Sequence, residues 1–252
     1  MCLLVVAHRV HPELPLIVAG NRDEFHGRPA SPAGWWSDKP DILGGRDLEA
    51  GGTWLGLHRA GRFATVTNYR DADQPSRRFV SRGGLVTGFL ESEADPLELI
   101  DSIDGEDYAG FNLLGVADGR LVYRSNRGAG SRELSPGIYA VANATLDTPW
   151  PKVERIKAAL AAMIRDDAVD ASALLDMLAD RTRAPVDTSE ESYADLPAER
   201  LAALSAPFVV MPEYGTRCST VVLADADGRF TFVERRFDAA GDVTGQSDYT
   251  IE

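Results

Sequence analysis

Cys2 directly follows Met1, and removal of that methionine makes the cysteine an N-terminal residue that carries its own base. A free α-amine titrates at about 7.7–8.0, well below a lysine, so it can take up a proton at neutral pH. Amines of this kind assist thiol and hydroxyl nucleophiles. The competing reading of Cys2 is a small apolar residue that opens a strand. Gly20-Asn21-Arg22-Asp23-Glu24 ends a second apolar run that would return beside the first. An arginine there favours the thiolate, and a carboxylate orients and partly protonates the amine. The same residues also fit a surface turn with a weak Arg–Asp pair. Residue types leave both readings open.

Acyl transfer also needs neutral donors aimed at a developing oxyanion. Thr67-Asn68-Tyr69 and Val141-Ala142-Asn143-Ala144 each end an apolar run with an asparagine. Asparagine is equally a common turn former. Arg217, within Gly215-Thr216-Arg217-Cys218-Ser219-Thr220, enters a late strand where it could meet a substrate carboxylate or the thiolate, whereas Cys218 reads as structural. His8, His11, His26 and His58 form no close pair beyond His8 and His11, which stand at a strand end and not on a helix face. No metal site, haem-attachment motif or resident cofactor is expected.

Strands must position these residues. Leu3–Ala7 and Leu16–Ala19 flank a His11-Pro12-Glu13-Leu14-Pro15 turn, and Trp54–His58 pairs with Phe63–Thr67. Asn112–Val116 and Leu121–Ser125 flank Asp118-Gly119, a strong hairpin signal. Gly137–Asn143, Ser219–Leu223 and Phe230–Phe237 add further strands. Helices are expected at Gly83–Ser92, Pro151–Arg165, Ala171–Arg181 and Leu196–Leu204; the third is followed by a polar, mobile stretch, Arg181–Tyr193. Val153, Ile156, Leu160 and Met163 give the second of these a helical period after a favourable Pro151. With no βαβ rhythm and no glycine-rich phosphate loop, the chain reads as α+β, with stacked antiparallel sheets covered by helices. No linker divides the 252 residues, so one domain, 1–252, is expected.

Composition narrows the partners. The net charge is −13, and the acid is uneven: residues 1–90 carry 11 basic and 9 acidic side chains, whereas residues 91–252 carry 15 and 30. Nucleic acid is a poor partner for such a surface. The acid reads as a solvated coat on the later part of the chain, away from most of the chemistry. No apolar run reaches the ~18 residues of a membrane helix, so a soluble, cytoplasmic protein is expected. Oligomeric state is not legible.

Met1-Cys2, Asn21-Arg22-Asp23-Glu24, Gly51-Gly52-Thr53-Trp54-Leu55-Gly56, Thr67-Asn68-Tyr69, Ser81-Arg82-Gly83, Leu146-Asp147-Thr148-Pro149-Trp150-Pro151-Lys152 after Asn143, and Gly215-Thr216-Arg217 occur in this order. Together they resemble the NRDE family, also called the transport and Golgi organisation protein 2 family, which is more distantly similar to N-terminal-nucleophile hydrolases of the bile-salt hydrolase and penicillin V acylase branch. That resemblance implies a four-layer αββα sandwich. It also implies that Cys2 is the nucleophile, that Asn143 and the Asn68 backbone N–H form the oxyanion hole, and that Arg217 is the late catalytic arginine. Trp54 and Tyr69 are expected to contact substrate. Arg22 and Asp23 match less closely, because the acylases separate the two residues. Neighbours on a regular strand face opposite ways, so either a bend brings both in or Glu24 partners Arg22.

Two functions follow as expectations. One is hydrolysis of a C–N amide bond in a small acylated molecule, with Cys2 as nucleophile. The other is a non-catalytic carrier of a hydrophobic ligand, haem or lipid, in a pocket lined by Trp35, Trp36, Trp54 and Trp150. Pro32-Ala33-Gly34-Trp35-Trp36 would be a loop at its rim.

Overall fold

The computed structural model of the chain describes residues 2–71, 79–185 and 196–252. β1 (Cys2–His8) and β2 (Leu16–Phe25) pair antiparallel from Cys2↔Arg22 to His8↔Leu16. β2 does not stop at Gly20, as its polar sequence suggests, but runs through Asn21-Arg22-Asp23-Glu24 to Phe25. The reason lies in its other neighbour. β11 (Tyr214–Ala224) pairs with β2 from Leu16 to Phe25, so the backbone of the polar stretch is held in a ladder while its side chains are buried.

Two sheets result. The first has the order β10 (Gly137–Val141), β1, β2, β11, β12 (Phe230–Phe237), β13 (Val243–Ile251). The second runs in chain order: β3 (Ala30–Trp35), β4 (Ile42–Asp47), β5 (Leu55–His58), β6 (Phe63–Asn68), β7 (Phe111–Ala117), β8 (Arg120–Ser125), β9 (Gly130–Leu134). The β7–β8 turn has Asp118 and Gly119 at φ of 52° and 68°. Positive values at both central residues are what a tight hairpin with right-twisted strands requires.

Alternation along β1 and β2 feeds two cores. Leu4, Val6, Leu16 and Val18 meet Leu43, Leu57, Phe63 and Leu114 between the sheets. Leu3, Val5, Ile17 and Ala19 face the other way, onto α3 (Pro151–Arg165) and α4 (Ala171–Leu178) through Val153, Ile156, Leu160 and Leu174. On the outer face of the second sheet, α1 (Gly83–Glu91) and α2 (Pro96–Asp101) bury Val86, Phe89 and Ile100 against Phe111 and Val122. The chain is therefore an αββα sandwich of two antiparallel sheets. α5 (Ala198–Leu204) packs apart, through Leu204, near Val209 and Tyr214.

Three local readings change. The Pro32-to-Trp35 segment is not a free loop but belongs to edge strand β3, whose register slips between Ser31 and Gly34; an edge with a bulge tolerates proline. β13 was hidden because its alternate residues are polar and exposed. α4 ends at Leu178, and residues 186–195 of the expected mobile stretch lie outside the described residues. No helix among the described residues is long and apolar enough to cross a membrane.

Candidate active site

A row of side chains crosses the first sheet at one end. Cys2 pairs with Arg22, Arg22 with Cys218, and Cys218 with Arg236. On the other side, β1 pairs Leu4 with Val141, the last residue of β10, so Asn143 follows two residues beyond the ladder at the Cys2 end. Since Leu4 and Val18 point between the sheets, alternation turns Cys2 and Arg22 the same way. They open into a cavity of about 320 Å³, closed from the second sheet by Trp54 and Asn68 and at its rim by Arg28 and Arg82.

The far wall is set by close backbone approach. Trp54 is fixed through its carbonyl, which accepts from Val66 N–H at 2.8 Å and Thr65 Oγ1 at 2.9 Å. A Cβ on Gly52 would stand 2.6 Å from the Gly83 carbonyl carbon. The Gly51-Gly52-Thr53-Trp54 and Ser81-Arg82-Gly83 segments therefore meet without side chains between them. This contact holds Arg82, whose Nη1 donates to Gly110 O at 3.0 Å, at the turn into α1. Burial works against the charge on Arg82.

Arg22 is 6% exposed, and its guanidinium carbon lies 4.3 Å from the Trp54 ring centroid. Its Nη2 is 3.5 Å from Asp47 Oδ2 and 4.0 Å from Glu24 Oε2. Burial works to raise the Asp47 pKa, but the Arg28 side chain and the N–H groups of Ala50 and Glu49 hold it below the usual range. The Cys2 thiol moves the other way. Burial pushes it up and the Asp23 charge adds to the rise; the chain-start amine, the Asp23 N–H and then Arg22 oppose them without winning. The sulfur is thus a thiol at neutral pH, and the site needs a base.

Asp23 lines the same cavity, while its side chain leaves β2 on the Asn21 face, toward the helices. Its Oδ1 accepts from Thr216 Oγ1 at 2.7 Å, its carbonyl accepts from Tyr214 Oη at 2.7 Å, and its backbone N–H reaches the Cys2 sulfur. Burial raises its carboxyl pKa, opposed first by the chain-start amine and then by Lys152 of α3. Asn21, on the same face, is a clasp: Nδ2 donates to the Leu178 and Pro207 carbonyls at 2.9 Å each, and Oδ1 accepts from Ser219 Oγ.

Asn68 and Asn143 come together, with Asn143 Nδ2 donating to Asn68 O at 2.8 Å. Tyr69 is bound through its N–H to Gly110 O and is not among the cavity-lining residues. Arg217 sits in the β11 bulge between Thr216 and Cys218, where its Nη1 donates to the Phe25, His26 and Arg28 carbonyls. It clamps the end of β2 and does not line the Cys2 cavity. Among the four tryptophans, Trp54 lines the cavity; Trp35 packs under Arg59, Trp36 donates to Gly44 O, and Trp150 precedes α3. Among the described residues, no three His, Cys, Asp or Glu side chains converge to hold a metal.

Lys152 is the residue that sequence reasoning passed over. It is 3% exposed, with Nζ lacking a hydrogen-bond partner among the described residues. A signal was present: Lys152, Ile156 and Leu160 stand at i, i+4 and i+8 on one helix face.

The family model for Transport and Golgi organisation 2 matches residues 1–239. The human transport and Golgi organization protein 2 homolog is 38% identical over 237 residues, covering 87% of this chain and 86% of that protein. Among solved structures, the C2A mutant of conjugated bile acid hydrolase from Clostridium perfringens superposes with a TM-score of 0.55 at 9% identity, covering 99% of this chain and 92% of that one. The Caenorhabditis elegans ortholog of N-acylethanolamine-hydrolyzing acid amidase gives 0.51 at 11% identity, covering 88% and 92%. At such identities the two structures speak for the N-terminal-nucleophile hydrolase fold alone. The extent of the family match and the human likeness together establish that the chain belongs to the transport and Golgi organisation 2 family.

Proposed function

We propose that the protein is an N-terminal-cysteine amidohydrolase that cleaves a C–N amide bond in a small acylated substrate. The carrying observation is Cys2 at a cavity that Arg22, Asp23 and Asn68 also line, with Asn143 bonded to the Asn68 carbonyl. The fold likeness to a bile acid hydrolase solved as a C2A mutant and to an acid amidase supports the same reaction class.

With Met1 removed, the Cys2 α-amine takes the thiol proton and the sulfur attacks the substrate carbonyl. The oxyanion accepts hydrogen bonds from the second N–H of the Asn143 amide and from the Asn68 backbone. Val66 donates toward β5, so Asn68, two residues on, presents its N–H to the same side past the end of that strand. Collapse breaks the C–N bond, and the ammonium returns its proton to the departing nitrogen. Water, deprotonated by the same amine, then cleaves the thioester and releases the acid.

Intact mass of the purified protein should show loss of Met1, and an N-acyl substrate panel should release free amine. Cys2→Ala should abolish release with an unchanged melting curve. A retained methionine, or undiminished turnover in Cys2→Ala, would overturn the reading. A hydrophobic carrier draws less support, because the cavity is rimmed by arginines and Trp54 alone of the four tryptophans lines it.

A further inference from the structure

Lys152 stands where a cation is least welcome. It occupies the first turn of α3, directly after Pro151, and the positive end of a helix dipole opposes an ammonium there. Its stem lies on the face shared with Val153, Ile156 and Leu160, in the layer between α3 and the first sheet. Its Nζ has no hydrogen-bond partner among the described residues, so the charge is buried without the usual compensation. Packing alone does not account for it, since a leucine would fill the same layer.

The carboxyl group that acts most on Lys152 is Asp23. Asn21 reaches Leu178 of α4, so the helix-facing side of β2 carries Asn21 and, by alternation, Asp23. The charged or titratable groups that act on Asp23 are Lys152 from α3, Cys2 from β1 with the chain start beside it, and Glu24 from β2 itself; Thr216 of β11 donates to it. Burial lowers the Lys152 pKa, and Asp23 and then Cys2 oppose that by favouring its charged form. Burial raises the Asp23 pKa toward the neutral acid, and a protonated acid cannot hold an ammonium.

We propose that Lys152 is a positioning residue for the Cys2 amine: its buried ammonium keeps Asp23 a carboxylate, and Asp23 holds the amine of the processed chain beside the thiol. The inference rests on the N-terminal-cysteine reading above. It also explains why Arg22, on the opposite face, is not the partner of Asp23.

The test measures Cys2 alkylation by iodoacetamide from pH 5 to 9, so it needs no knowledge of the substrate. The wild type should show a step set by Asp23 that is absent in Asp23→Asn. Lys152→Met should move that step to higher pH by about one unit or more, the usual effect of losing a close opposite charge. Lys152→Arg should leave it near the wild-type position, and Lys152→Met/Asp23→Asn should match Asp23→Asn. Superimposed profiles for Lys152→Met and wild type would overturn the proposal. If Lys152→Met does not fold, the comparison is between Asp23→Asn and the double variant. Removing the orphaned ammonium from Asp23→Asn should raise its melting temperature, and an unchanged or lowered value counts against the pair. Intact mass separates the two ideas. Retained Met1 with a shifted step ends the amidohydrolase reading, whereas loss of Met1 with no shift ends the role of Lys152.

Discussion

Arg22 and Asp23 are neighbours on β2, yet they serve opposite faces of one sheet: Arg22 stacks on Trp54 between the sheets, and Asp23 bonds Thr216 on the helix side. Both residues line the cavity that holds Cys2, although their side chains leave the strand on opposite faces. The strand keeps its period of two, and Asp47 and Glu24 take the place of Asp23 beside Arg22. Cys2 lies at the junction, with its side chain on the Arg22 face and its sulfur within reach of the Asp23 N–H.

Removing Arg22 should slow the cysteine. Arg22 adds to the chain-start amine in lowering the Cys2 pKa against the larger effect of burial. In Arg22→Gln the thiol should hold its proton more firmly, and iodoacetamide labelling at pH 8 should fall by roughly 3- to 10-fold, tenfold being one pKa unit. The lost stack and charge contacts should cost about 1–2 kcal/mol. Pseudo-first-order labelling rates and thermal melts check both.

The two cysteines should react differently. Cys2 is part-exposed at a cavity, whereas Cys218 is 4% exposed, with its thiol pushed well up by burial and then by Glu234. Native protein should take up one alkyl group, mapped to Cys2 by peptide mass. The rate should rise as pH increases from 6 to 9, because thiolate forms only as pH climbs toward the raised pKa. Labelling of Cys218 in folded protein would contradict this arrangement.

Asn21 should matter for stability and not for the cysteine. Asn21→Ala leaves the Leu178 and Pro207 carbonyls and Ser219 Oγ without their buried partner. Such losses cost roughly 1 kcal/mol or more each, so about 3 kcal/mol is expected. Melting should drop by about 6–12 °C, with the pH profile of Cys2 labelling unchanged.

Glu234 should make stability fall as pH rises from acid to neutral. Its side chain is 1% exposed; Oε1 accepts from Ala33 N–H, and burial raises its pKa despite Arg236 at 3.7 Å. A carboxyl with a folded pKa above its unfolded value binds more protons when folded. Its contribution is therefore complete below the unfolded pKa and is lost as pH climbs through the folded one. Glu234→Gln keeps the acceptor for Ala33 and removes the charge. It should match wild type near pH 4 and exceed it by on the order of 1 kcal/mol at pH 7, read from urea midpoints at both.

Much of the architecture was legible because its signals are local. The His11-to-Pro15 turn sets β1 against β2, and that alone brings Arg22 opposite Cys2. Asp118-Gly119 fixes the β7–β8 hairpin, and Pro151 with Val153, Ile156 and Leu160 fixes α3. The ordered motifs then identified the family. Edge strands β3 and β13 were not legible: their pairing with a single neighbour leaves little apolar pattern to read.

The sequence by itself determined which residues could do chemistry and that Cys2 and Arg22 would meet, since both depend on one hairpin. Only the tertiary structure decided what each side chain faces. Whether a face of β2 looks onto a cavity or onto a helix depends on a second sheet and on α3, which arrive tens to more than a hundred residues later. Hence Arg217, expected at the thiol, is spent on carbonyls near the end of β2, because a bulge turns it aside. Lys152, in the chain only the last residue of a motif, is buried with Asp23 within its electrostatic reach because helix and sheet close over them both.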